Sequence, residues 1–157
     1  MPAIRDSAVK MVCQNKKAGH EYYLDEFIEA GMVLLGAEVK SLREGRGNLV
    51  DSYAKVKRGE VFLYNMHISP YPFAHGVDLD PTRARKLLLS RKEIRRLIGK
   101  TEIKGYSLIP TKVYFKKGRA KVEIALARGK KKYDKRRSLK EKELKREMDQ
   151  ARKKSNY

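Results

Sequence analysis

The stretch from Tyr106 to Ala127 constrains the fold more than any other part of the chain. Tyr106–Lys116 and Arg119–Ala127 flank Lys117-Gly118 and read as a long hairpin. In its second arm Ala120, Val122, Ile124 and Leu126 alternate with Arg119, Lys121 and Glu123, the period of a strand with one buried and one wet face. A strand of this kind needs other strands to complete its hydrogen bonds and an apolar layer to cover its inner face. Ser52–Lys57 and Val61–Ile68, around Arg58-Gly59, supply a second hairpin. Tyr22–Glu29 is a further strand-like run, and Gly31 interrupts it before Met32-Val33-Leu34-Leu35. A glycine there points to a bulge or sharp bend of the sort closed sheets require.

Two helices fit between these strands. Gly36–Glu44 carries Leu35, Val39 and Leu42 at helical spacing, with Gly45 and Gly47 as stop signals. Glu38, Lys40, Ser41 and Arg43 lie off that stripe and are free to face a partner. Ser90-Arg91-Lys92-Glu93 has the spacing of a capping box. It opens a helix with Ile94, Leu97 and Ile98 inward and Arg91, Lys92, Arg95 and Arg96 outward, ended by Gly99 or Gly105. The expected architecture is mainly β: about six short, mostly antiparallel strands with two or three flanking helices. A small closed antiparallel β-barrel handles that inventory by removing exposed edges.

The pattern changes abruptly after Ala127. The whole chain holds 38 Lys and Arg against 19 Asp and Glu, a net charge of +19, and residues 128–157 hold 14 of the cations and 5 of the carboxylates. A fifth of the length therefore carries nearly half the surplus. Repulsion and low hydrophobicity favour disorder there, although residues 138–153 can form a helix with Leu144, Met148 and Ala151 on one face and Glu141–Lys145 and Asp149–Lys153 as pairs. The expected organisation is a flexible arm over 1–14, a folded body over 15–128 and a basic, flexible tail over 129–157 that becomes helical on an anionic partner.

Such a surplus of positive charge draws polyanions, nucleic acid first and an anionic membrane second. No run approaches the length of a membrane span, and no secretory leader pattern is visible, so a cytoplasmic protein is expected. Cys13 is the only cysteine, which excludes an internal disulfide and a cysteine zinc site. His20, His67 and His75 are too far apart for a local metal motif, and Asp78 with Asp80 lacks a following ligand pattern. No nucleophile elbow, phosphate loop or zinc-protease motif occurs. Neither catalysis, a cofactor nor a metal is expected.

Two stretches are open on residues alone. Asn65-Met66-His67-Ile68-Ser69-Pro70-Tyr71 reads either as a base-stacking platform or as a strand that Pro70 ends. Asn15-Lys16-Lys17-Ala18-Gly19-His20-Glu21-Tyr22-Tyr23 reads either as an RNA-facing arm or as a solvated lead into the body.

Several blocks together resemble the SsrA-binding protein (SmpB) family. They are Asn15-Lys16-Lys17-Ala18, Phe27–Gly31, Gly36–Arg43, Asp51–Ala54, Asn65–Tyr71, Asp80–Arg83, Arg85–Leu89 and Gly129–Arg136. The match runs from about residue 12 to 154, with the tail beyond Arg137 looser. The Glu38-Val39-Lys40-Ser41-Leu42-Arg43 and Arg85-Lys86-Leu87-Leu88-Leu89 blocks carry most of the specificity.

The resemblance implies an oligonucleotide-binding (OB-fold-like) barrel that binds the tRNA-like domain of transfer-messenger RNA (SsrA). It implies delivery of that RNA to stalled ribosomes for trans-translation, with tagging of the nascent peptide. The implied partners are the small-subunit decoding centre and messenger channel, elongation factor Tu on the aminoacylated RNA, and alanyl-tRNA synthetase indirectly. The RNA-binding positions it implies are Asn15, Lys16, Lys17, Glu29, Glu38, Lys40, Arg43 and Leu88, the last with a core role as the alternative. For the decoding centre it implies Lys131, Lys132, Tyr133, Asp134, Lys135 and Arg136. Gly19 and Tyr133 depart from relatives, which often carry a basic or bulkier residue and a histidine there.

Overall fold

A computed structural model describes residues 9–73, 79–103 and 105–155. His75, Asp78, residues 1–8 of the expected arm, and the side chains of Lys132 and Tyr133 lie outside the described part. The chain is mainly β with helices around an antiparallel sheet. In order it forms β1 (Val9–Gln14), α1 (Ala18–Glu21), β2 (Tyr22–Met32), α2 (Gly36–Arg43), β3 (Gly47–Asn48), β4 (Tyr53–Lys57), β5 (Glu60–Tyr64) and β6 (His67–Ile68). Then come β7 (Arg85–Leu88), α3 (Arg91–Thr101), β8 (Tyr106–Lys116), β9 (Arg119–Gly129) and α4 (Lys132–Ser155).

Both hairpins form where the two-residue turns predict them. Arg58 and Gly59, and likewise Lys117 and Gly118, all have positive φ between 52° and 74°. Two left-handed residues in succession match the twist of paired strands. A glycine in second place removes half the steric cost.

The pairings run round a ring: β8 pairs with β4, β4 with β5, β5 with β7, β7 with β2, β2 with β9, and β9 with β8 again. β1 adds to β8 outside that ring, with Val9 opposite Lys116 and Gln14 opposite Lys112. β8 can serve both neighbours because it changes partner along its length. It meets β4 at Leu108 and β1 only from Lys112 onward. The register against β9 slips between Pro110 and Lys112, at a proline that has no amide hydrogen to give.

Several expectations are corrected here. Val9–Gln14 is a paired strand rather than part of a loose arm. The strand expected over Val61–Ile68 breaks at Asn65, whose φ is +63°. His67-Ile68 pairs separately with Gly47-Asn48, which favours the strand reading of that stretch. The bulge in β2 falls between Leu24 and Glu26 rather than at Gly31. Gly31 instead marks the crossing from β9 to β7: it lies opposite both Lys121 and Leu88, and a Cβ there would meet the Leu88 Cβ at 3.3 Å. α3 runs through Gly99 to Thr101, with Ser90 Oγ accepting from the Glu93 amide at 3.2 Å.

The core inside the ring is built from Ala30, Leu42, Leu49, Val61, Leu63, Leu87, Leu97, Leu108, Val113, Val122, Ile124 and Leu126. A smaller cluster joins Ala18 of α1 to Ile109 and Ala127. No residue beyond Ala127 belongs to either cluster among the described residues. The tail is nevertheless helical from Lys132, where disorder in the free chain and a later helix start were expected. Its ion pair among the described residues is Arg137–Glu141 at 3.3 Å rather than the two pairs read from spacing.

Candidate nucleic-acid interface

Helix α2 presents a different face inward from the one its apolar spacing suggests. Leu42 and Ser41 are buried, but so is Glu38, while Leu35 is half exposed. Glu38 accepts the Leu35 amide at 3.0 Å, Arg83 Nε at 3.1 Å and Arg85 Nε at 2.7 Å, and it also pairs with the second Arg83 nitrogen. Arg85 is fully buried and gives its remaining donors to the carbonyls of Met66 and Pro81. Burial alone would raise the Glu38 carboxyl, but the bonds from Arg83, Leu35 and Arg85 outweigh it and hold it below the usual range. Glu38 is thus turned inward, tying α2 to Arg83 and to Arg85 of β7, and Ser41 is buried as well, which corrects the expectation that both lie off the buried stripe facing outward.

Lys40 and Arg43 do face outward. The Lys40 ammonium sits 5.6 Å from the Tyr71 ring, and the Arg43 guanidinium 4.7 Å from the Phe115 ring. Arg43 also reaches the Gly118 carbonyl at 3.4 Å, so α2 lies beside the β8–β9 turn. Tyr71 packs edge-on against Phe73, which is 72 % exposed.

The outer wall of β2, β9 and β8 carries Glu29. It stands opposite Glu123 in register, accepts a hydrogen bond from the Tyr114 hydroxyl and lies 3.4 Å from Lys116 Nζ. The Tyr114 bond, then Lys116 and Lys121, hold its carboxyl below the usual range. Burial and the Glu29 and Glu123 charges push the Tyr114 hydroxyl up, so it stays a donor.

Leu88 is exposed, not a core residue, and lines a groove of about 480 Å3 with Gly31, Val39 of α2 and Gly118 to Lys121. Glu29, Leu88 and Arg43 thus surround one end of the β8–β9 hairpin, and Lys40 lies on the same helix as Arg43, over Tyr71.

The Asn15–Lys17 arm sits at the other end of β1. Its backbone amide bonds Thr111, and Asn15 Nδ2 donates to the Pro110 carbonyl at 3.1 Å, so part of this amide anchors the arm. Thr111 Oγ1 in turn donates to Glu123 at 2.6 Å. A continuous polar strip therefore joins Asn15 to Glu29 along one wall. Lys16 and Lys17 are exposed beside it. Lys112, Lys116 and the largely buried Tyr114 belong to this strip and were not among the expected site residues; Lys121 stands on the wet face that its alternation with Val122 predicts.

The tail residues meet different surroundings. Lys131 and Arg136 are exposed, Lys135 is half-buried, and Asp134 hydrogen-bonds the Tyr23 hydroxyl. Lys130, absent from the expected set, donates to the Gly19 carbonyl at 2.9 Å and to Ser138 Oγ at 3.1 Å.

Burial pushes the Cys13 thiol up to about 11, which suits a passive packing role. Among the described residues no group of three His, Cys, Asp or Glu side chains could hold a metal. The melting temperature is expected to be the same with and without a chelator. A drop on chelation would reveal a bound ion, since a ligand specific to the folded state stabilises it. No described helix is long and apolar enough to cross a membrane.

The model of the SmpB protein family matches residues 12–154. The SsrA-binding protein of Syntrophobacter fumaroxidans is 61% identical over 144 residues, covering 92% of this chain and 89% of that protein. That of Geobacillus thermodenitrificans is 58% identical over 142 residues, covering 90% and 92%. A solved chain described as "tmRNA-SmpB: a journey to the center of the bacterial ribosome" is similar with a TM-score of 0.65 and 48% identity, over 76% of this chain and 85% of that one.

Proposed function

The chain belongs to the SmpB protein family, and on that premise we propose that it binds transfer-messenger RNA and acts with it on the stalled bacterial ribosome in trans-translation. It is an RNA-binding factor rather than an enzyme. The observation that carries this reading is likeness to SsrA-binding proteins over nine-tenths of the chain. The charge surplus and the cation-rich wall support it physically.

The body over 15–128 acts as a closed, oligonucleotide-binding-like barrel, a reading supported by the unbroken ring of pairings. Its RNA face is the strip from Asn15 to Glu29 together with Leu88, Lys40 and Arg43. Lys16, Lys17, Lys40 and Arg43 neutralise phosphates. Glu29, ionised and flanked by lysines, accepts bonds from base amino or ribose hydroxyl groups. The tRNA-like domain is the segment that fits such a mixed surface. The RNA travels aminoacylated with elongation factor Tu, in the cytoplasm. Residues Lys131 to Arg136 meet the decoding centre, and the remaining tail follows the empty messenger channel.

A gel-shift with transfer-messenger RNA against ordinary tRNA, a plain stem-loop and a plain single strand tests the reading. Equal affinity for plain single strands would favour a general single-strand-binding module instead. Glu29→Ala, Lys40→Ala and Arg43→Ala are each expected to weaken binding by roughly fivefold to fiftyfold, or about 1–2.4 kcal/mol. The melting temperature should fall by no more than a few degrees. The two cationic changes should also flatten the plot of log affinity against log salt by about 0.7–0.9 each. Folded variants with unchanged affinity would remove this face from consideration.

A further inference from the structure

Tyr114 stands on β8 opposite Lys121 of β9, yet its hydroxyl reaches Glu29 on β2, the strand beyond. The side chain therefore crosses β9 on the outer wall. It is only 5% exposed there, with the Lys112 ammonium 5.9 Å from its ring, although it belongs to neither core cluster. The two protein donors on Glu29 converge on one oxygen. The Tyr114 hydroxyl and Lys116 Nζ both bond Oε2, and among the described residues Oε1 accepts nothing. Glu123, opposite Glu29 in register, has donors of its own: Thr111 Oγ1 bonds its Oε2 at 2.6 Å, and Lys112 Nζ lies 3.9 Å from its Oε1. Carboxylates facing one another across strands repel, and the separate donor sets hold these two in place. A hydroxyl on a carboxylate makes a charge-assisted bond without neutralising the charge. A glutamate as exposed as Glu29 would otherwise keep its rotamer freedom and lose it on binding.

We propose that Tyr114 is a positioning residue of the RNA face: its hydroxyl pins Oε2 of Glu29 so that Oε1 is presented, already oriented, to an amino or ribose hydroxyl donor of the RNA. The proposal rests on the RNA-contact reading of Glu29 and deepens it. Tyr114 itself, covered by its neighbours, acts through Glu29. Such preorganisation raises affinity by lowering the ordering cost rather than by adding a contact. The Tyr114 bond is also the largest cause holding the Glu29 carboxyl below its usual range, ahead of Lys116 and Lys121. Loss of the hydroxyl should therefore show in the titration of Glu29.

The test is a double-mutant cycle in the full chain: Tyr114→Phe, Glu29→Ala and both together, titrated with the tRNA-like domain of transfer-messenger RNA at several salt concentrations. Tyr114→Phe keeps the ring and should weaken binding roughly threefold to tenfold. It removes no charge, so the slope of log affinity against log salt should stay as in the unmodified chain, whereas Lys40→Ala flattens it. In the Glu29→Ala background the same change should cost less than about twofold. In the free protein the Glu29 carboxyl, followed by its carbon-13 resonance, should titrate at higher pH in Tyr114→Phe than in the unmodified chain. Identical titration in the two proteins would overturn the proposal. So would a full loss of affinity from Tyr114→Phe in the Glu29→Ala background, because the hydroxyl would then act without Glu29. Normal binding by Tyr114→Phe beside weak binding by Glu29→Ala would remove the positioning role and leave Glu29 as an RNA contact. If Glu29→Ala itself binds normally, the RNA reading of Glu29 fails, and the role of Tyr114 with it.

Discussion

Removal of residues 130–157 is expected to abolish peptide tagging on stalled ribosomes while leaving transfer-messenger RNA bound within about tenfold of the full chain. The structure shows why the two effects should separate. β9 ends at Gly129, and neither core cluster takes a described residue beyond Ala127. Cutting there removes no core side chain and no rung of the sheet, so the body should melt within a few degrees of the full chain. What is lost on the RNA side is some long-range attraction. On the ribosome the loss is total, because the whole cationic segment proposed for the decoding centre and messenger channel is gone. Measurement needs a gel-shift, a melting curve and a tagging assay on one truncated protein. A truncated protein that still tags, or one that loses the RNA altogether, refutes the division of labour between body and tail.

Glu38→Ala should be the most destabilising single change, at about 3–5 kcal/mol. It strands Arg85, which is fully buried, and Arg83, which is 28% exposed, without their shared carboxylate. In a chain of this size that corresponds to a fall of roughly 10 °C or more in melting temperature. Any loss of RNA affinity should follow the loss of folded protein. Glu38→Gln should cost less, since the amide oxygen still accepts one bond.

The same carboxylate predicts a pH dependence. Its folded pKa lies below the ordinary 4.5, so the unfolded chain takes up the proton first as pH falls. The stabilisation is complete above about pH 4.5, declines as pH drops below that value, and is gone once pH falls through the folded pKa. In Glu38→Gln this acid-dependent part of the stability curve should be missing. If Glu38→Ala melts like the unmodified chain but binds RNA poorly, Glu38 belongs on the RNA surface after all.

Some of this molecule is legible in its residues taken locally. The two hairpins follow from glycine-ended turns between alternating runs, and α3 from its Ser90 cap and apolar stripe. The family blocks point to RNA, and the charge surplus agrees. Each of these rests on residues close together in the chain, where period and turn chemistry act directly.

The tertiary structure decided the rest, because its causes join distant residues. Glu38 looks like an exposed helical carboxylate until Arg85, 47 positions away, turns it inward. Glu29 acquires its donor from Tyr114, 85 positions away. Val9–Gln14 lacks a strong pattern of its own and becomes a strand because β8, freed from β4 beyond Leu108, has an edge to fill. The basic tail meets α1 through Lys130, which reaches Gly19 across 111 positions. Periodicity records which face of an element is apolar; only the packed chain decides which charges find partners inside and which are left for RNA.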